Sequence, residues 1–156
     1  MIIEVTKLSP GGSEYDGEES PAILDLENNP HLKIEGPISY HLRAEVVSRE
    51  LVVTGRNGVR VAQECGRCAG FFSTTLQDSS FLRAYPVPEG VETVDLTEDI
   101  REDILLLLEP FPVCSPVCKG LCPRCGKNLN EGACSCKPGE GDEGPGSWSE
   151  LDRLRL

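Results

Sequence analysis

From Ile38 to Val46 apolar and polar positions alternate. Ile38, Tyr40, Leu42, Ala44 and Val46 interleave with Ser39, His41, Arg43 and Glu45. A period of two sends successive side chains to opposite faces, so this stretch predicts a half-buried strand. Residues 51–54 read as a second strand and residues 59–64 as a third, which runs straight into Cys65. Between them Gly55-Arg56-Asn57-Gly58 reads as a turn, because an Asn-Gly pair tolerates positive φ. Residues 71–76 and 81–85 supply one or two further strands of weaker alternation. With short links and no helical pattern between them, these strands predict an antiparallel meander.

The period changes after the Pro86, Pro88 and Gly90 loop. Residues 97–108 predict a helix, with Thr97 as N-cap and Glu98 and Asp99 in the first turn, where the helix dipole favours acids. Ile100, Ile104, Leu107 and Leu108 share one face, and Pro110 and Pro112 end the helix. Glu98, Asp99, Glu102 and Asp103 read as its solvated side. Residues 9–21 are acidic and rich in breakers, and read as a mobile loop. At the far end Ser147-Trp148-Ser149-Glu150 has a capping-box pattern, and Trp148, Leu151 and Leu154 then share a face. That short amphipathic helix either folds back on the domain or docks a partner. Gly139, Gly141, Gly144 and Gly146 make the segment before it a flexible linker.

Composition makes this fold lean. Only 38% of the 156 residues are hydrophobic and 5% aromatic, with sixteen Gly and twelve Pro, so the core needs a supplement. Eight cysteines offer one. They fall as Cys65-x2-Cys68 and Cys114-x3-Cys118-x3-Cys122-x2-Cys125-x8-Cys134-x-Cys136. Tight Cys-x2-Cys turns aim two sulfurs at one centre, and four thiolates make a closed tetrahedral zinc site. Disulfides are the competing use of such thiols. The N-terminal residues 1–8 contain Glu4 and Lys7 where a secretory signal needs an unbroken apolar run. The longest apolar run, 104–108, is far short of the roughly 20 residues that cross a bilayer. The expectation is therefore a reducing cytoplasm and metal-bound thiols.

Cys122, Cys125, Cys134 and Cys136 can close one tetrahedron alone, over a loop whose Asn130 and Gly132 suit tight turns. Cys65, Cys68, Cys114 and Cys118 would then form a second, pinning the helix exit to the strand corner across 45 intervening residues. At that corner Gly66 relieves the crowding of the turn. Interleaved pairings, such as Cys118 with Cys122 and Cys125, use the same thiols. Two zinc ions per chain are expected. Iron in a rubredoxin-like centre is the lesser alternative, because the Cys-x-Cys end lacks a second Cys-x2-Cys-Gly turn. A catalytic zinc would keep an open position and use His or carboxylate ligands; His31 and His41 read as exposed strand residues instead. The domain division expected is a strand and acidic flexible loop in 1–30 and a β-rich core with its helix in 31–118. A zinc knuckle in 119–137 and the linker with its terminal helix in 138–156 complete it. The fold class is α+β: an antiparallel meander or partly closed barrel, one main helix and a C-terminal zinc knuckle.

The net charge is −11, yet residues 111–137 carry Lys119, Arg124, Lys127 and Lys137 against Glu131 alone. Four thiolates around zinc carry a formal charge of about −2, which offsets most of this local excess. The balance favours a basic protein partner over bare RNA, whose binding rests on Lys and Arg. Lys119, Arg124, Lys127 and Trp148 are the candidate partner contacts. No His–carboxylate constellation suggests an enzyme.

Five stretches carry a family likeness: Leu-Lys-Ile-Glu-Gly-Pro-Ile at 32–38, Cys-Gly-Arg-Cys at 65–68, Asp-Ile-Arg-Glu-Asp-Ile-Leu-Leu at 99–106, Val-Cys-Ser-Pro-Val-Cys-Lys-Gly-Leu-Cys-Pro-Arg-Cys-Gly-Lys-Asn-Leu-Asn at 113–130, and Cys-Ser-Cys at 134–136. Together they resemble the YceD family of bacterial large ribosomal RNA subunit accumulation proteins, over about residues 30–156. The resemblance implies a cytoplasmic, non-enzymatic factor in 23S rRNA accumulation or large ribosomal subunit biogenesis, binding precursor rRNA or a ribosomal protein. It also implies that Cys65, Cys68, Cys114 and Cys118 form the shared core site and Cys122 to Cys136 a dispensable one. The acidic N-terminal stretch and the Gly-Pro-Gly-Ser-Trp of the tail depart from the family pattern. A redox-responsive zinc–thiolate switch, with Lys119, Arg124 and Lys127 enhancing thiol reactivity, is the alternative reading.

Overall fold

The computed structural model describes residues 1–136. Along them run β1 Ile2–Glu4, β2 Ser13–Glu19, β3 Leu32–Ile34, β4 Ile38–Val47, β5 Glu50–Glu64, β6 Phe71–Pro86, β7 Thr93–Asp95 and α1 Thr97–Leu106. The terminal helix expected around Trp148, and the linker before it, lie outside the described residues.

The spine is β5. Its first part pairs with β4 on one edge, its last part with β3 further along that edge, and β6 follows it on the other side. Outside β4 lies β2, and every pairing is antiparallel. Among the described residues β2 and β6 do not pair, so the sheet is open: of the two expected forms it is the antiparallel meander and not the partly closed barrel. The class holds: a mostly antiparallel sheet with one helix. The separate pair β1–β7 carries the chain into α1.

One face of the sheet forms the core. Leu42, Ala44, Leu51, Val53, Val59, Val61, Leu76 and Phe81 are buried there together with Ile100 and Ile104 of α1. The alternation of β4 holds from Ile38 to Ala44, with Ile38, Leu42 and Ala44 buried and Ser39 and Arg43 exposed, but not at Val46, which is exposed near the strand's end.

Several details differ from expectation. Residues 55–58 are not a turn but the middle of a 15-residue strand. Asn57 is buried opposite Tyr40 and Asp78, and the chain reverses instead at Ser48–Arg49, whose φ values are 51° and 70°. A two-residue hairpin needs positive φ at both positions, and here neither residue is the Gly or Asn that signals it. The weak alternation of residues 71–85 has a related cause. They are one strand, with a one-residue slip against β5 between the pairs Asn57–Asp78 and Gly55–Phe81. Such a bulge interrupts the period without ending the strand.

The acidic loop is β2, an edge strand zipped along β4 from Ser13 to Glu19. Glu14, Asp16 and Glu18 point to water, while Tyr15 packs against the core and Gly17 lies beneath the Tyr40 ring. Only one of its edges must pair, so high charge on the other side is tolerated. Finally, the acids of α1 are not one solvated set. Glu98 and Glu102 are exposed, but Asp99 accepts hydrogen bonds from Arg83 Nε (3.2 Å) and the Tyr85 hydroxyl (2.5 Å), and Asp103 accepts one from Asn57 Nδ2 (2.7 Å). Each immediately precedes a buried residue of the apolar stripe, Ile100 or Ile104, so it borders the sheet. Thr97 is the first helical residue and not the cap; its N–H and hydroxyl both donate to Asp95 Oδ1.

Candidate metal centres

The turn from β5 to β6 is built on Cys65. Its N–H donates to the Gly70 carbonyl (2.9 Å), its own carbonyl accepts from Ala69 (2.9 Å), and Ala69 takes the left-handed conformation with φ 55°. The same turn recurs at Cys122. There the cysteine N–H donates to the Lys127 carbonyl (2.8 Å), its carbonyl accepts from Gly126 (2.9 Å), and Gly126 has φ 71°. Two Cys-x2-Cys segments thus fold identically, each bringing its second sulfur back beside its first. In the first turn Gly66 is not the strained position; Ala69 is, and Gly66 serves by donating its N–H to Pro112 (2.8 Å).

That last bond draws in the other half of the first site. After α1 the prolines lead Cys114 and Cys118 back to the strand corner, so Cys65, Cys68, Cys114 and Cys118 come together with all four sulfurs within 4.8 Å. Cys122, Cys125, Cys134 and Cys136 form the second set under the same limit. The interleaved pairings are not seen. Sulfurs at the corners of a tetrahedron with metal–sulfur bonds of about 2.3 Å lie about 3.8 Å apart. Cys65–Cys118 at 3.9 Å and Cys68–Cys114 at 3.8 Å fit that figure, and Cys122–Cys134 at 3.5 Å is slightly tighter. Each set could hold one metal ion. Zinc and iron share this sulfur geometry, so it does not separate them.

The electrostatics of the thiols point the same way. Burial raises Cys65, but N–H groups of Cys114, Arg67 and Cys68 outweigh it and bring the thiol down to about 6. Cys118 is lowered first by the Asn130 amide and then by the Gly120 N–H. Cys122 is brought to about 6 by the N–H groups of Cys125 and Arg124. Their neighbours move oppositely: Cys114 is pushed up to about 12 by Cys118, and Cys136 to about 12 by Cys125. Each nest of donors accommodates part of the charge of four thiolates. A cation bound there would offset the remainder, and its binding would release protons.

The two centres are bonded to each other, so residues 119–136 are not a free-standing knuckle. Leu121 N–H donates to the Arg67 carbonyl (3.0 Å), and Leu129 N–H to that of Gly120 (2.9 Å). Arg67 Nη1 reaches the carbonyls of Pro116 (3.2 Å) and Cys118 (3.3 Å). Asn130, expected as a turn residue, has another role. Its Oδ1 accepts from Lys119 N–H (2.8 Å) and its Nδ2 donates to Cys118 Sγ (3.3 Å). Arg67 and Asn130 are the site residues that sequence reasoning missed. Both stand inside the quoted cysteine strings, but nothing local tells that their side chains reach across.

Of the expected partner contacts, Lys119 and Arg124 are exposed beside the centres. Lys127 is exposed too, though its Nζ donates to Ala133 O (2.9 Å) and closes its own loop. Trp148 lies outside the described residues. An apolar rim accompanies the cations: Phe111 and Val117 are each 82% exposed, with Val113 and Leu121 beside them in the chain. His31 comes nearer the thiols than expected, since its carbonyl pairs with Glu64, but its ring bonds Glu64 Oε2 (2.6 Å) and joins neither set. His41 lies on β4 against Asp16.

Comparison with known proteins now bears on this geometry. The family model described as large ribosomal RNA subunit accumulation protein YceD matches residues 83–155, which takes in α1 and six of the eight cysteines. An uncharacterised protein of Mycobacterium tuberculosis is 33% identical over 149 residues, covering 83% of this chain and 70% of its own length. The chain belongs to the YceD family. Two chloroplastic YceD homologues, each named as a large ribosomal RNA subunit accumulation protein, match a shorter part. The one from Arabidopsis thaliana is 36% identical over 64 residues, 41% of this chain and 20% of that protein. The one from Zea mays is 44% identical over 52 residues, 33% of this chain and 18% of that protein. No solved structure matches the chain. Among the described residues, no helix of this YceD protein is long and apolar enough to cross a membrane.

Proposed function

We propose that this chain is a non-enzymatic factor in the accumulation of large-subunit ribosomal RNA, held in shape by two zinc ions and acting in the cytoplasm through contact with a ribosomal protein or precursor rRNA. The observation that carries the reading is the pair of four-thiol sets, each built by the same cysteine turn, in a chain whose relatives bear that name. Sites with four cysteine ligands have no open position for substrate, and their ordinary role is structural. What they support here is a rim of Phe111, Val113, Val117 and Leu121 flanked by Lys119 and Arg124, a composition suited to gripping another macromolecule.

Zinc is preferred to iron because the second site ends in Cys134-x-Cys136 instead of a second Cys-x2-Cys-Gly turn. Metal analysis of protein purified under reducing conditions should return two zinc ions per chain and no free thiol. Affinity purification followed by RNA sequencing and mass spectrometry should recover large-subunit precursor rRNA or ribosomal proteins. Recovery of neither would sink the reading. A redox-responsive switch is favoured by one detail, the exposure of Cys114 in one set and Cys125 in the other. Zinc release by mild peroxide would support that use, and full retention would remove it.

A further inference from the structure

Metal–sulfur sites need more than their four ligands, because hydrogen bonds to the sulfurs disperse thiolate charge and fix each ligand's orientation. The two sets differ in where those bonds come from. Cys122 is served by its own turn, through the N–H groups of Arg124 and Cys125. Cys65 is served by its own turn through Arg67 N–H (3.4 Å), and by Cys114 N–H (3.4 Å) within the same set. Cys118 differs. Besides Gly120 N–H of its own segment and the thiols of its own set, Cys118 has a donor from the other set's loop: Asn130 Nδ2 at 3.3 Å, which lies between Cys125 and Cys134.

That loop is also braced against the segment carrying Cys118. The Asn130 amide receives Lys119 N–H on its other end, and Asn128 Oδ1 accepts from both Asn130 N–H (3.0 Å) and Nδ2 (2.8 Å). Asn130 is thus held at three points. Two of them belong to the second loop and one to the residue next to Cys118. Closing the second set around its metal fixes both ends of the loop, and therefore the position of Asn130.

We infer that Asn130 is a positioning residue of the first metal centre, supplied by the loop of the second, so that metal retention at the first centre depends on the second being closed. The inference rests on the reading that both thiol sets hold metal. It predicts an order of events: stripping the second centre loosens the first. Loss of the first leaves the second with its own turn's donors intact.

The test uses the full chain loaded with Co2+, whose thiolate charge-transfer absorption reports each bound centre. Asn130→Ala removes the N–H donor and the Lys119 acceptor together. Asn130→Asp keeps an acceptor for Lys119 but sets a carboxylate against the Cys118 sulfur. Both variants should weaken metal retention at the first centre roughly tenfold to a hundredfold against a competing chelator, the usual effect of removing such a neighbour. Both should also shift its charge-transfer band to lower energy, because the thiolate becomes more electron-rich; a purely structural role would leave the band in place. Cys134→Ser should reproduce the loss at the first centre. In a Cys114→Ser background, which leaves only the second centre, Asn130→Ala should change retention little. Wild-type retention and an unmoved band in both Asn130 variants would overturn the inference. Absence of any thiolate band in the wild-type chain would instead defeat the metal reading itself.

Discussion

Ala69 and Gly126 occupy one position in two copies of the same turn, each four residues after its leading cysteine and each in the left-handed conformation, at φ 55° and 71°. Glycine takes that conformation freely, whereas an L-residue pays roughly 1 kcal/mol or more. The first turn therefore carries strain that the second does not. Ala69→Gly should stabilise the protein by up to ~1 kcal/mol, after the loss to unfolded-chain entropy is set against the relief. Gly126→Ala should destabilise by about the same amount, since a methyl there meets nothing within 4 Å and the effect is conformational alone. Thermal denaturation of the metal-loaded variants measures both.

Gly55 is glycine for a harder reason. At φ 152° its backbone lies against β4 so closely that a Cβ would stand 2.2 Å from the His41 carbonyl oxygen and 2.8 Å from Leu42 Cα. Both obstacles are backbone in a paired strand and cannot step aside. Gly55→Ala should destabilise by about 3 kcal/mol or more, at the top of the range for overpacking. Gly17→Ala meets the end of the Tyr40 side chain instead, at 2.5 Å, and that ring can turn away. It should lose clearly less, and urea titrations of the pair would show the difference in midpoint.

Gly55 also shows what was legible in the chain. Gly55 and Gly58 around Asn57 look like a hairpin because local turn chemistry is all that a short window contains. The deciding facts are remote: close passage of β4 at Gly55, and burial of Asn57 beneath Asp103. The real reversal at Ser48–Arg49 carries no turn residue, and its positive φ values are imposed by the long pairing on either side. The same pairing makes a strand of the acidic residues 13–19. The cysteine partition was legible because Cys122, Cys125, Cys134 and Cys136 can close one set locally, which leaves Cys65, Cys68, Cys114 and Cys118 for the other. Asn130 and Arg67 were not, because a side chain crossing from one centre to the other leaves no periodic trace.

Asp103 makes the stability of the sheet–helix contact depend on pH. Burial raises its carboxyl above the ordinary aspartate value of 3.8, and the Asn57 amide only partly offsets this. A raised folded value means that the protonated form is favoured on folding. That contribution is complete below 3.8 and is lost as pH rises through the folded value. Asp78, lowered by the Ser80 hydroxyl and N–H, does the reverse and contributes stability that disappears as pH falls below the same ordinary value. Asp103→Asn should keep an acceptor for Asn57, remove the loss on the upper limb and leave the acid limb. The variant should therefore be more stable than wild type at neutral pH and nearly equal near pH 3. Denaturant titrations across that range decide it, and equal stability at both ends would refute the assignment.

Metal removal should act locally before it acts globally. The apolar core around Leu42, Val53, Phe81 and Ile100 is a cluster distinct from the one formed by Cys65, Cys68 and Cys118 with Phe72. Chelation under reducing conditions should release residues 111–136 and the β5–β6 corner while the strands around Val53 persist. Hydrogen exchange should show early loss of protection at Gly66, whose partner Pro112 leads into Cys114 of the first centre. Far-ultraviolet circular dichroism should retain its strand signal. Simultaneous loss of both would mean that the thiol centres hold the whole sheet.

Phe111 and Val117 separate binding from stability. Each is 82% exposed, so neither contributes much to folding, yet they flank Cys114 on a surface that also carries Lys119. Large apolar side chains left in water beside the two cysteine sets fit a docking role better than a packing one. Phe111→Ser with Val117→Ser should leave the melting temperature within about 2 °C of wild type, as surface substitutions usually do. The same double variant should lower recovery of ribosomal protein or precursor rRNA in affinity purification by tenfold or more, about 1.4 kcal/mol or above in binding. Lys127→Ala is the informative contrast. Its amine is engaged with the Ala133 carbonyl, so it should loosen the second loop and weaken metal retention there more than it weakens the partner contact. Undiminished recovery with the double variant would move the partner surface elsewhere on the molecule.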